Sequence, residues 1–387
     1  MTLSAAGQDN NQPTGSLRIL LIAPAGVGGT VQYTHNLANA LTGMGHRVVL
    51  ATAIGYELAP FPRRYEAIEV FDRFTPHLRP ILKFLGAARR LRPDIIHFQG
   101  AQRPEFYLLL WLILKPLTGA DFVWTPQDVL SNSQKPYHRR LLRFLYARMR
   151  HVFLNAKQNE AVVTELFGVA PERITILPIP DLVDFARRDL GRALPPELRL
   201  DMAAPMILCF GLIEERKGIG TLIEAFARLR DRGLYATLLI MGKALTDTSR
   251  FQTALAEQGL SDGPAQMIVR YARFEEMNAI FEHAHVVVLP YHSGWNSGVL
   301  ASAYGYGKPV VATTVGGFDE VVRDGETGLL VAPKDAEALA GAMVRILSDP
   351  ALYERLSEGA GKAGAEASWP GVAGMTTRAY ARAEDHK

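Results

Sequence analysis

Short β-branched apolar runs, each closed by small residues and followed by a helical period, recur along this chain in two separate series, and that rhythm limits its fold more than any other feature. The first series is Leu17 to Ala23 (LRILLIA), Val48 to Ala51, Ile95 to Phe98, Phe122 to Thr125, His151 to Leu154 and a short run at Ile174 to Leu177. Runs this short and this apolar read as strands buried on both faces, the mark of a parallel sheet covered by helices. Val31 to Thr42, with Leu37, Ala38 and Leu41 on one face, supplies the first helix. The stretch DLGRALPPELRLDMAAP, Asp189 to Pro205, is rich in proline and charge and has no such run, so a linker is expected there. The second series then begins with Met206 to Phe210, continues through Ala236 to Met241, Met267 to Val269 and His285 to Leu289, and ends at Pro309 to Thr313. Helices are expected at Thr221 to Leu229 and Phe274 to His283. The alternation predicts an α/β protein of two doubly wound Rossmann-like domains, 16–190 and 206–365, joined by a linker at 191–205. Residues 1–15 read as a disordered tail, and 366–387 as a helix packing back on the amino-terminal domain. Ligands in such sheets sit at the carboxyl ends of strands, so an interdomain cleft is the expected site.

Composition narrows the class. The chain has 387 residues, 48% hydrophobic and 21% charged, enough for two cores. Its one cysteine, Cys209, lies inside the apolar run MILCF, which removes a disulfide framework or a cysteine metal site and fits a reducing cytoplasm. The first residues have no apolar segment of the kind an export signal needs. Phe106 to Leu114 (FYLLLWLIL) is too short to span a bilayer and is expected as a buried helix. The net charge of +3 is unevenly divided: residues 1–190 carry 22 Lys and Arg against 15 Asp and Glu, a formal +7, and the remainder is at −4. Arg139, Arg140, Arg143, Arg148 and Arg150 concentrate that excess in one expected helix. It suits an anionic membrane surface or a phosphorylated acceptor, or equally a solvated helix face. Nucleic acid is not an expected partner.

The richest local signal is Leu289 to Gly317, LPYHSGWNSGVLASAYGYGKPVVATTVGG. After a strand closed by Pro290, the small residues Ser293, Gly294, Asn296, Ser297 and Gly298 leave backbone amides free to approach a ligand. A helix starting near Ser297 would point its amino terminus at an anion, phosphate above all. The plain alternative is that Ser297 only caps that helix and the glycines only make turns. Gly26, Gly28 and Gly29 after the first strand suggest a dinucleotide fingerprint, but Val31 stands where its third glycine belongs and Arg47 to Ala51 ends without the acidic ribose ligand. No P-loop motif occurs.

Several further motifs stand in order along both halves. They are Gly28-Gly29 before VQYTHNLANAL, Gly45-His46-Arg47-Val48, Pro93-Asp94-Ile95-Ile96-His97, Gly211 with Lys217-Gly218, and Gly307-Lys308-Pro309-Val310-Val311-Ala312-Thr313. Gly316-Gly317 with Glu320, Thr327-Gly328-Leu329-Leu330 and Ser368-Trp369 complete the set. In this combination the chain resembles the family-4 retaining glycosyltransferases of GT-B fold, over essentially its whole length after the tail. The resemblance implies transfer of a sugar from a nucleotide diphosphate sugar to an acceptor, with retention at the anomeric carbon and without a metal or other cofactor. It implies that Lys217 binds the diphosphate, that Gly211, Ser297, Gly298 and Val299 line the donor, and that Gly28 and Gly29 form an opposing loop.

Four departures from that family stand out. Its paired glutamates would fall on Gly294 and Ser302, leaving Ser302 to reach the ribose through a hydroxyl or a water. Leu212 replaces an arginine whose charge Arg216 is expected to supply. Gln127, in Thr125-Pro126-Gln127-Asp128, takes the place of an active-site histidine; it can hold a sugar hydroxyl but cannot exchange a proton, so Asp128, another acidic residue or the substrate phosphate is expected to serve as base. Pro178-Ile179-Pro180 lacks a histidine often present there. His97, at a strand end, is expected at the acceptor, and no histidines and carboxylates have metal spacing. The expected acceptor is a polysaccharide, glycolipid or polyprenyl-linked glycan met at the inner face of a membrane. The alternatives are a soluble small molecule such as an antibiotic core, or a catalytically weak partner subunit.

Overall fold

The apolar runs form two sheets, parallel but for an antiparallel edge pair in the first, in a computed structural model that describes residues 15–72, 75–76, 78–130, 135, 137–261, 263–294 and 297–381. The expected tail, up to residue 14, and the last six residues of the expected terminal helix lie outside the described residues. The chain divides into two compact units, one of Met1–Phe153, Phe167–Thr175 and Pro370–Lys387, the other of Leu154–Leu166 and Ile176–Trp369.

In the first unit the chain runs through β1 (Arg18–Ala23), α1 (Gly29–Gly43), β2 (Arg47–Ala53), β3 (Glu66–Asp72), β4 (Thr75–Pro76), α2 (Leu78–Leu91) and β5 (Ile95–Gln99). It continues through α3 (Pro104–Thr118), β6 (Asp121–Thr125), α4 (His138–Arg148) and β7 (His151–Leu154). After α5 (Gln158–Phe167), β8 (Ile174–Ile176) completes a sheet of order β4-β3-β2-β1-β5-β6-β7-β8. β1 pairs in parallel with β2 on one side and β5 on the other, so the order reverses beside it. β3 had no run to announce it: the exposed Glu66 and Glu69 interrupt the buried Ile68, Val70 and Phe71. Phe106, Tyr107, Leu110 and Leu114 of α3 are buried, but Leu109 is 48% and Leu112 53% exposed, so the expectation of a buried helix holds for one face only.

The second unit holds α6 (Asp184–Asp189), β9 (Met206–Phe210), α7 (Ile219–Asp231), β10 (Thr237–Met241), α8 (Ser249–Glu257), β11 (Ala265–Ile268) and α9 (Phe274–His283). It goes on through β12 (Ala284–Leu289), α10 (Gly298–Gly305), β13 (Val310–Thr313), α11 (Phe318–Val321), β14 (Gly328–Val331), α12 (Ala336–Ser348) and α13 (Pro350–Glu366). Its sheet has the order β11-β10-β9-β12-β13-β14, with the strands paired in parallel. Ile207, Leu238, Ile240, Val286, Val288 and Val311 of the strands pack with Leu222, Phe226, Leu339 and Met343 of α7 and α12 in one core.

Residues 176–205 cluster with the second unit, including the stretch expected as a linker. Side chains of α9 and its flanks strap it down. Asn278 Nδ2 donates to the carbonyls of Ala186 and Gly191, Arg192 pairs with Glu282 at 2.6 Å, and Glu197 pairs with Arg270 at 2.7 Å. The last helix, α14 (Trp369–Ala381), joins the first unit from Pro370 onward, where His46 Nε2 lies 3.1 Å from Thr377 Oγ1 and His97 Nδ1 lies 2.7 Å from the Tyr380 hydroxyl. No helix among the described residues is long and apolar enough to cross a membrane.

Candidate functional site

In an open parallel sheet the strand ends on either side of an order reversal leave a crevice that neighbouring helices do not fill. In the second unit that reversal falls between β9 and β12. The loops after these strands carry Gly211, Arg216 and Lys217 on one side and Ser297, Gly298 and Val299 on the other. They touch: a Cβ placed on Gly211 would lie 3.2 Å from Val299 Cγ2. Residues Glu215–Lys217 form a single tight turn ended by Gly218 at φ 66°, where a Cβ would stand only 1.8 Å from the Pro290 carbonyl oxygen. Only glycine fits this backbone and this approach. The His292 amide then donates to the Arg216 carbonyl at 2.7 Å, clamping the turn onto the start of the second loop.

The clamp positions a cation. Lys217 Nζ sits 3.6 Å from the centroid of the Tyr291 ring, whose negative face attracts it. The Tyr291 hydroxyl is 3.1 Å from Ser297 Oγ, and Ser297 Oγ accepts from the Leu300 amide as the cap of α10. The amides of Gly298 and Val299, at the first turn of that helix, take no partner among the described residues, and they stand at the positive end of the helix dipole. Ser297 is therefore a cap, as the plain reading held, and a cap of this kind leaves an anion cradle beside it. Tyr291, which ties the cation to the cradle, was not anticipated; the only signal was an aromatic residue directly after a strand-closing proline. Arg216 pairs with Glu214 at 2.6 Å, and its Nη1 lies 3.1 Å from where a Cβ on Gly294 would be. A guanidinium thus occupies the surroundings of one position where the resemblance places a carboxylate.

Ser302 is not part of this group, contrary to expectation. It is 3% exposed inside α10 and its hydroxyl bonds to the Asp181 carboxyl. Asp181 also accepts from the Val183 amide at 3.1 Å and from Arg187 Nε at 3.3 Å, while the Trp369 indole donates to its carbonyl at 2.9 Å. Burial pushes the Asp181 carboxyl up to about 6, against the opposing pull of the Val183 amide, Arg187 and Ser302. A one-turn offset on a helix whose surroundings are unknown cannot be told from sequence, so the burial of Ser302 had no signal there.

In the first unit, Gly28 caps α1 at φ 87°, with Gly29 as the first helical residue. Its amide is already committed: it donates to Glu57 Oε1 at 2.8 Å, and Gln32 Nε2 donates to the same oxygen at 3.0 Å. The free anion-binding loop expected at Gly28 and Gly29 instead carries its own carboxylate, with Glu57 raised above the ordinary range mainly by burial. Glu57 follows the second strand at no motif spacing, and sequence gave no sign of it. Gln127 adopts φ 62°, rare for a residue with a side chain, and its Oε1 is 3.4 Å from Thr30 Oγ1 while its Nε2 is buried without a partner among the described residues. Gln127 therefore stands beside the start of α1, and Asp128 follows it in a turn whose amide donates to the Pro126 carbonyl at 2.7 Å.

His97 must be reassigned. It is fully buried in β5, 2.7 Å from both the Tyr380 hydroxyl and Thr125 Oγ1, and burial drives its imidazole down to about 3. It is a neutral core histidine satisfied on both nitrogens, not an acceptor contact. A polar residue near a strand end reads the same in sequence whether it meets ligand or a neighbouring helix.

Comparison with known proteins agrees with this architecture. The Glycosyltransferase Family 4 pattern matches residues 27–180, and that of glycosyl transferases group 1 matches residues 204–349. The chain is 27% identical over 418 aligned residues to the glycogen synthase of Mycobacterium tuberculosis, covering 95% of both proteins. Among solved structures it resembles sucrose-phosphate synthase of Thermosynechococcus elongatus, with a TM-score of 0.72 and 22% identity over 95% of this chain and 99% of that one. It also resembles HepE of Anabaena, solved in complex with UDP and glucose, with a TM-score of 0.71 and 16% identity over 95% of this chain and all of that one.

Asp181 yields a direct test of the local electrostatics. A carboxyl raised from 3.8 in the unfolded chain to about 6 in the folded one favours folding while protonated. The stabilisation from this group is therefore fully present below about pH 4, is lost as pH rises through the interval to 6, and is absent above it. The loss from this group is about 3 kcal/mol at roughly 1.4 kcal/mol per pK unit. Urea unfolding across that interval should show the wild type losing stability relative to Asp181→Asn as pH rises, by about that amount; a pH-independent difference between the two would exclude the raised carboxyl.

Proposed function

Because this chain is an enzyme, a glycosyltransferase of GT-B fold that uses nucleotide sugars, we propose that the second unit holds the nucleotide diphosphate sugar, with its diphosphate between Lys217 and the first amides of α10. One observation carries the reading: a lysine fixed on Tyr291, which in turn is bonded to the cap of a helix with two unpaired leading amides. As the bond between the anomeric carbon and the diphosphate breaks, negative charge grows on the phosphate oxygens. Donors aimed there beforehand stabilise the transition state more than the bound donor.

The reaction proceeds with retention and without a metal. The acceptor hydroxyl oxygen bonds to the anomeric carbon on the face the diphosphate leaves, and its proton passes to the departing phosphate, since Gln127 can orient a hydroxyl but accepts no proton. Arg216 adds a second cation beside Lys217. The Mycobacterium tuberculosis relative, named as a glycogen synthase, supports a glycan product.

The acceptor is a lipid-linked or membrane-borne glycan, and the enzyme works in the cytoplasm against an anionic bilayer. The support is a face of the first unit on which Leu109, Leu112 and Phe144 are exposed together with Arg139, Arg140 and Arg143, and where Arg148 lies over the rings of Phe144 and Trp111. Apolar side chains among cations are the pattern that binds anionic lipid.

Replacing Lys217 by Ala should lower kcat for sugar transfer by about two to three orders of magnitude, the effect of losing one aimed donor to a developing anion. Retention of activity within a few-fold of wild type would remove Lys217 from the diphosphate. Flotation with vesicles rich in phosphatidylglycerol should carry the protein upward at low salt and release it at high salt, with Leu112→Glu weakening the association. Binding that is indifferent to salt and to this substitution would exclude the basic face as the contact.

A further inference from the structure

A cavity of about 500 Å³ in the first unit lies at the opposite edge of the sheet from the strand ends discussed above, where β1, β5 and β6 begin and the chain enters β7. Four arginines line it, Arg18, Arg89, Arg92 and Arg150, against two carboxylates, Asp94 and Asp121. Two of the arginines are neutralised locally. Arg18 grips Asp94 through two nitrogens, at 2.6 and 3.1 Å, and Arg150 pairs with Asp121. Arg89 and Arg92 are exposed at the rim with no carboxylate partner among the described residues. The lining thus carries two positive charges in excess.

Arg92 stands in an unusual backbone. Its amide donates to the Ala88 carbonyl as α2 ends, and its φ is 45°, a left-handed conformation that glycine would adopt without strain. A guanidinium is kept there at a conformational cost of about 1 kcal/mol. Basic residues at a helix end offset its dipole, but that would not require one at this strained position.

We propose that this cavity binds a small phosphate monoester, its dianionic phosphate between Arg89 and Arg92 and its polyol part within the cavity. Two guanidiniums match a phosphate dianion in charge and in paired hydrogen-bond geometry, and the volume falls in the range that holds a small organic molecule. The site is separate from Lys217 and α10, so it does not depend on the donor reading.

Thermal unfolding of the full chain at constant ionic strength tests this with sorbitol phosphate, inorganic phosphate and KCl as probes. Sorbitol phosphate should raise the midpoint by mass action in the wild type and equally in Lys217→Ala. In the double variant Arg89→Ala/Arg92→Gly, whose exposed positions and glycine-compatible backbone preserve the fold, its apparent affinity should fall about tenfold or more. Inorganic phosphate should bind more weakly than the ester. The proposal is overturned if KCl reproduces the shift, if the double variant responds as wild type does, or if Lys217→Ala alone removes the response. Equal affinity for inorganic phosphate would contradict the assignment of an ester.

Discussion

The proposed donor site depends on Lys217 being held against Tyr291. A lysine side chain has four rotatable bonds, and immobilising it in water costs roughly 1.5–2 kcal/mol of rotamer freedom. The tight turn closed by Gly218, its approach to the Pro290 carbonyl so close that no Cβ would fit, and the ring beneath the ammonium all reduce that freedom before a ligand arrives. The Tyr291 hydroxyl carries the same constraint to Ser297, so the cation and the leading amides of α10 are set by one side chain. A fixed cation and fixed dipoles need no reorganisation as charge develops, which is where such a site gains its catalytic effect.

The unusual residues of this chain are consistent with a shift from carboxylates to backbone. Gly294 leaves Arg216 room near the loop, and Ser302 faces inward onto Asp181. In the proposed donor site, gripping of the nucleotide by side-chain carboxylates would be correspondingly reduced, leaving the diphosphate contacts to carry more of the binding. In the first unit, Glu57 fills the amide position that a glycine-rich turn would otherwise offer to an anion.

Much of the fold was legible in the sequence because parallel strands buried on both faces leave continuous apolar runs, and the helix Phe274–His283 was bounded as expected. β3 escaped because its Glu66 and Glu69 break the run, and the exposed Leu109 and Leu112 of α3 escaped because hydrophobicity alone does not say which face a helix covers. In the site, residues on loop glycines and helix caps were legible because backbone geometry demands particular residue types there. Tyr291, Glu57 and Asp181 were not, since each acts through a contact across space. His97 and Ser302 were misread for the same reason: a buried polar group with satisfied partners and one facing a ligand look alike until its neighbours are known.

The central claim is that the amides of Gly298 and Val299, with Lys217, receive a diphosphate. Titration of the isotopically labelled full chain with UDP, followed by amide-selective NMR, tests it most directly. The Gly298 and Val299 amide signals should move saturably and together with the Lys217 side-chain resonance. Saturable binding of UDP that leaves all three unmoved while perturbing other residues would contradict it.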